Sequence, residues 1–195
     1  MDYDQVRVLD QFVRALDEVG ISYAVGGSVA SGYFGEPRAT YDIDVLAALV
    51  HEQIAALQSA LGNDFHVDVE LVRDAVVHKS SFNVIHRRPI VKIDVFVAGD
   101  RTLDREHFEH RVLQPIEPGS ARSIFVTSPE SIVLRKLDWF RIGQLTSERQ
   151  WNDVLGVLKT QRNQLDLARM QDVANQTGLS YLLKRAFDEA AISAH

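Results

Sequence analysis

Residues 23–28, Tyr23-Ala24-Val25-Gly26-Gly27-Ser28, and residues 40–45, Thr40-Tyr41-Asp42-Ile43-Asp44-Val45, decide how the rest of the chain is read. The first stretch is an apolar strand running into a glycine turn that opens a helix. The second is a strand with two carboxylates one residue apart. Residues i and i+2 of a strand project to the same face, so Asp42 and Asp44 are predicted to point into one site while Ile43 and Val45 point into the core. Like charges that close repel unless positive charge lies between them. A hard divalent cation, Mg²⁺ or Mn²⁺, takes oxygen ligands and suits phosphate substrates. A glycine turn at a helix N-terminus offers backbone N–H groups to a phosphate. Together the two stretches point to metal-assisted chemistry on a nucleoside triphosphate (NTP).

A third carboxylate stands in Val91-Lys92-Ile93-Asp94-Val95-Phe96. Alternation puts Lys92, Asp94 and Phe96 on one face and Val91, Ile93 and Val95 on the other. Buried carboxylates are rare without a metal or a basic partner. Grouped with Asp42 and Asp44, Asp94 makes a three-carboxylate site of the kind that holds two metals about 3.5–4 Å apart. The alternative is a plain ion pair of Asp94 with Lys92 or an arginine.

Around these motifs the pattern predicts a fold of the α/β (α+β) class: a small mixed β-sheet core with helices, followed by a packed helical part. Val6, Leu9, Phe12, Val13 and Leu16 have helical spacing over 5–19, and Gly20 is a stop signal. Strands are expected at 21–25, 43–47, 82–85, 90–97, 111–116 and 123–126, with helices at 28–34, 51–61 and 104–110; the pattern over 65–78 is ambiguous, compatible with a strand at 65–67 and a helix capped by Asp68 and running to about His78. Ser128-Pro129-Glu130-Ser131 is a helix start: serine as N-cap, proline in the first turn, glutamate favourable to the dipole. From there the chain reads as helices over 129–142, 147–160, 166–177 and 179–192, broken at Gly143 and Gly178. The expected division is therefore 1–127 for the α/β core and 128–195 for the helical region packed on it.

The chain has 195 residues, no cysteine and a net charge of −6. Disulfide frameworks and thiolate metal sites are excluded. The acidic balance argues against a broad nucleic-acid coat, leaving Arg87-Arg88 and the set Arg135, Lys136, Arg141 and Arg149 as candidates for a local basic groove. No apolar run approaches the ~20 residues of a membrane helix. The N-terminus lacks the basic and apolar regions of a signal peptide, and the expected location is the cytoplasm. His107-x-x-His110 has helical spacing but, with no cysteine and no nearby third ligand, is read as two surface histidines. Trp139, Phe140 and Trp151 have helical spacing and are read as core rather than as a platform for a base.

Gly26-Gly27-Ser28, Asp42-x-Asp44 and a later Asp94 resemble the nucleotidyltransferase superfamily that includes DNA polymerase β and the aminoglycoside nucleotidyltransferases. Lys136 on a helix after Ser128-Pro129-Glu130, followed by Arg149-x-x-x-Asp153, resembles the AbiEii-like nucleotidyltransferase toxins. The resemblance spans roughly residues 20–160. It implies that Gly26, Gly27 and Ser28 cradle the triphosphate, with Arg38, Thr40 and Lys136 completing the nucleotide site. It implies Asp42, Asp44 and Asp94 as metal ligands, Asp94 as the group that assists deprotonation of the acceptor, and Asp153 as the residue that orients Lys136 or the acceptor. The implied reaction moves a nucleoside monophosphate from an NTP to a hydroxyl of RNA (a tRNA 3′ end) or protein, with a cognate antitoxin as a further partner. Two alternatives stand beside it: a non-catalytic nucleotide- or partner-binding module, and an adenylyltransferase acting on a small-molecule antibiotic.

Overall fold

The computed structural model describes residues 1–192; the last three residues of the expected helical region lie outside the described residues. Helix α1 (Tyr3–Val19) begins at Asp2, whose side chain accepts from the Gln5 backbone N–H, and ends at Gly20 in the left-handed region. Strand β1 (Tyr23–Val25) leads through Gly26 into α2 (Gly27–Phe34), and β2 (Asp42–Ala47) returns antiparallel to β1. A 3₁₀ turn at His51–Gln53 precedes α3 (Ile54–Leu61), followed by β3 (Phe65–Val67), α4 (Val69–His78), β4 (Ser81–Arg87) and β5 (Ile90–Val97). Next come α5 (Thr102–Glu109), β6 (Val112–Pro115) and β7 (Ser123–Val126), then α6 (Pro129–Ile142), α7 (Glu148–Gln161), α8 (Leu167–Thr177) and α9 (Ser180–Glu189). None of these helices is long and apolar enough to cross a membrane.

The strands form one mixed sheet in the order β3-β4-β5-β2-β1-β7-β6. Its central strand β2 pairs antiparallel with β1 and parallel with β5. Alternation sorts the side chains by face. Ile43 and Val45 of β2, Ile93 and Val95 of β5, and Phe82 and Val84 of β4 are buried on the face that carries α1, α3 and α4. Phe12 of α1 and His86 of β4 both lie against Phe65 there. The opposite face carries Asp42, Asp44, Lys92 and Asp94, with α2, α6 and α7 packed on one another beside it.

α6 starts where the sequence marks it: the Ser128 side chain accepts from the Ser131 N–H and Pro129 takes the first turn. It is fastened by buried charge. Arg135 donates to Asp104 of α5, and Arg169 of α8 reaches both Glu106 and Glu130. These pairs alter the basic-groove expectation. Arg135, Lys136 and Arg141 each lie on a carboxylate (Asp104, Asp153 and Asp138), so no free positive stripe forms along α6. His107 is also corrected. It is 5% exposed, not at the surface, and its Nδ1–H donates to the Leu103 carbonyl at 2.8 Å. Burial holds it neutral, with its pKa lowered to about 3.

α7 seats against the end of α2 by close backbone approach. A Cβ on Gly35 would lie 2.9 Å from the Val157 backbone nitrogen and 3.0 Å from the Ser31 carbonyl oxygen. Neither atom is free to move aside. Gly35→Ala is therefore expected to lower stability by about 1–3 kcal/mol through overpacking, read by urea denaturation, with no loss of helix content in circular dichroism.

Candidate active site

The turn between β1 and α2 is shaped around one carboxylate. Gly27 has φ +55, and a Cβ placed on it would fall inside the Asp44 carboxyl group. Only glycine satisfies both demands. The Gly26 N–H donates to the Asp44 carbonyl at 2.9 Å, which carries the β1–β2 pairing into the turn. Asp44 thus lies beneath the N-terminus of α2, where helix-end N–H groups favour negative charge.

The register of β2 against β5 sets Asp42 opposite Lys92 and Asp44 opposite Asp94. All four side chains share one face. Lys92 Nζ lies 3.0 Å from Asp94 Oδ2 and 3.5 Å from Asp42 Oδ1. Asn83 of β4, directly across from Asp94, donates its side-chain amide to the same carboxylate. Asp44 has no such ammonium contact. Burial, with Asp94 next and Asp42 adding, pushes its pKa up to about 6, against the pull of Lys136 and of the Ser28 backbone N–H.

The donor set fits a hard divalent cation in chemistry and in charge: oxygens alone, with an uncompensated negative excess at Asp44. Among the described residues, no group of three or more His, Cys, Asp or Glu is gathered to hold a metal. Asp42 and Asp94 both lie on Lys92, whose ammonium between them relieves their repulsion.

A second charged cluster lies beside the turn. Lys136 of α6 donates to Asp153 Oδ2 at 2.7 Å and to Gln150 Oε1 at 3.1 Å. Arg38, in the loop between α2 and β2, grips the same carboxylate with two bonds of 2.9 Å and also donates to Ser28 Oγ. Ser28 is the second residue of α2, so this cluster joins the turn to α6 and α7. Burial works to raise the Asp153 carboxyl, but Arg38 and Lys136 outweigh it and hold it below the ordinary range. Burial draws the Lys136 ammonium below its ordinary value, opposed by Asp153.

The remaining candidates fall elsewhere. Thr40 engages its hydroxyl with the Asp42 carbonyl at 3.0 Å, while Gln5 holds its own carbonyl at 2.7 Å, so it anchors the start of β2. Arg149 is exposed on α7. Phe140 and Trp151 are core, but Trp139 is 45% exposed, edge-on to Phe96 of the carboxylate face. Thr127, which the sequence reading passed over, is fully buried with an unpaired hydroxyl near Gly26. A Thr-Ser pair between an apolar strand and Pro129 was its only signal. Asn83 was equally silent, since its relevance comes from standing opposite Asp94.

No protein-family model matches the sequence, and no curated protein matches it. Solved structures do. The antibiotic-resistance factor ANT(2'')-Ia, in solution, aligns over 97% of this chain and 99% of its own with TM-score 0.56 and 13% identity. An antigenic nucleotidyltransferase-like protein from Paracoccidioides brasiliensis aligns over 96% of this chain and 94% of its own, with TM-score 0.55 and 19% identity. ANT(2'')-Ia in complex with adenylyl-2''-tobramycin covers 91% and 99%, with TM-score 0.55 and 16% identity. At such identities the likeness speaks for the fold: this chain has a nucleotidyltransferase-like fold along nearly its whole length.

Two outcomes follow from the charges. Asp153→Ala leaves Lys136, whose side chain is 6% exposed, buried without its carboxylate. A loss of about 3–5 kcal/mol is expected in chemical denaturation, with Asp153→Asn costing less. Asp44 titrates at about 6 in the folded chain against an ordinary 3.8, so between these values the folded state holds more protons than the unfolded one. Stability attributable to Asp44 therefore falls as pH rises through that window. In EDTA, Asp44→Asn is expected to melt above the wild type at about pH 8, with the gain gone by about pH 4. A gain independent of pH would contradict the burial argument.

Proposed function

We propose that the chain is a nucleotidyltransferase that moves a nucleoside monophosphate from an NTP to a hydroxyl acceptor and releases pyrophosphate. The observation that carries this reading is the seating of Asp44 under the Gly27 turn, in register with Asp94 and beside Asp42. A phosphate-binding helix start and a set of carboxylates then share one point, which a purely structural sheet face does not require.

In this reading Asp42, Asp44 and Asp94 would hold Mg²⁺ or Mn²⁺. When bound, the ion would neutralise charge on the triphosphate and increase the acidity of the acceptor hydroxyl. The chain's own groups do the rest. The Gly27 N–H binds a phosphate oxygen at the positive end of α2, while the Ser28 N–H is turned to Asp44. Ser28 Oγ accepts from Arg38, so its own hydrogen remains free to donate to a phosphate oxygen. Arg38 and Lys136, both held by Asp153, supply positive charge where the leaving pyrophosphate gains negative charge. Asp94 accepts the proton of the acceptor hydroxyl. The acceptor oxygen bonds to the α-phosphorus as the bridge to the β-phosphate breaks. Little covalent work falls to the protein, and positioning with charge neutralisation provides the rate.

For the acceptor, the motif resemblance favours RNA or a protein hydroxyl, with a toxin role and a cognate antitoxin. A small-molecule reading has its own support. A neighbour of the same fold was seen with adenylyl-2''-tobramycin and aligns over 91% of this chain. One assay separates them: the purified protein with each labelled NTP and Mg²⁺, offered total RNA, a protein extract or an aminoglycoside. Label is expected in one of the three acceptors. Asp42→Asn or Asp44→Asn is expected to abolish it, and Lys136→Met to lower it about 10²-fold or more. Turnover surviving both aspartate changes would overturn the site, and metal-independent NTP binding without turnover would favour a binding module.

A further inference from the structure

Lys92 is the charged residue of the carboxylate face that the mechanism above leaves without a task. It stands two residues before Asp94 on β5 and directly opposite Asp42 on β2. Its Nζ reaches both carboxylates, at 3.0 and 3.5 Å. We propose that Lys92 is a resident counter-ion: in the metal-free protein its ammonium holds Asp42 and Asp94 together, and a divalent cation entering the site must displace it. This rests on the reading of Asp42, Asp44 and Asp94 as cation ligands, and adds to it a residue that sets how tightly the cation is held.

Three observations carry the argument. The ammonium already occupies oxygens that a divalent ion would need, and two cations sharing those oxygens repel each other strongly at such range. The Lys92 side chain is 42% exposed and its partner Asp42 is 50% exposed. The Lys92–Asp42 pair is weak and screened at that exposure; Asp94 is more sheltered, at 19%, but the exposed lysine leaves its ammonium a path to solvent. Its single charge sits on a flexible four-carbon stem that can swing into solvent, which the rigid, forked guanidinium of arginine would do less readily. Asn83, still donating to Asp94, keeps that carboxylate oriented once the ammonium has left.

The test is a titration of the full chain, stripped with EDTA, with Mn²⁺ alone, following free Mn²⁺ by electron paramagnetic resonance. Lys92→Met removes the charge and keeps most of the stem; it is expected to bind Mn²⁺ about tenfold tighter or more. Lys92→Arg keeps the charge in a firmer grip and is expected to bind more weakly than the wild type. In EDTA, Lys92→Met is expected to melt below the wild type and to recover more on saturation with Mn²⁺ than the wild type gains. Equal or weaker Mn²⁺ binding by Lys92→Met, with wild-type binding still lost in Asp44→Asn, overturns the counter-ion and leaves the carboxylate site standing. Should Lys92→Met not fold, Lys92→Arg binding at or above wild-type affinity overturns it equally. No Mn²⁺ binding by any of them overturns the counter-ion and the cation reading together.

Discussion

Registering β2 against β5 places three carboxylates and one ammonium on adjacent positions of a single sheet face. The surrounding architecture answers to that crowding of charge. Asp44 sits inward, out of ion-pair contact with any ammonium among the described residues, and the glycine turn and the start of α2 are folded around its carboxyl group. Asp42 and Asp94 lie further out and share Lys92. The result is a site polarised along the sheet, with satisfied charge toward solvent and unsatisfied negative charge under the helix end. That imbalance makes the face suited to cations and to the phosphates that accompany them.

A second constraint holds the helical part to the turn. Lys136 and Arg38 come from opposite sides of the sequence and meet on one buried carboxylate, Asp153. Each would be costly to bury alone, and Asp153 between two cations would be costly without them. The triad therefore works as a clasp: α6, α7 and the loop after α2 cannot separate without exposing or stranding a charge. Because Arg38 also reaches Ser28, the clasp fixes the position of the turn as well as the helices. Stability and site geometry are thus drawn from the same few atoms.

Much of the local structure was legible because its signals are local. Ser128-Pro129 and Gly143 bracket α6, Asp68 caps α4, and Gly20 ends α1 in the left-handed conformation that glycine tolerates. Alternation in 91–97 told which side of β5 faces the core. His107 and Trp139 were misread because burial depends on what packs above a helix face, and the helix period says nothing of that. His107 is covered, whereas Trp139 stays half open beside Phe96. The partners of Asp94 were left open for a related reason. Choosing between a metal and Lys92 requires knowing which residue of β2 stands opposite, and register is a property of two strands.

The sequence alone determined the elements, the shared face of Asp42 and Asp44, and the glycine turn preceding α2, since each follows from backbone periodicity and from φ preferences within a few residues. The strand order, the Asp44–Asp94 register, the meeting of Arg38 with Asp153 across 115 residues and the place of Lys92 between two strands were decided by tertiary structure. These are contacts between segments distant along the chain, and the free energy that selects them comes from burying one apolar face of the whole sheet while pairing most of the charge on the other.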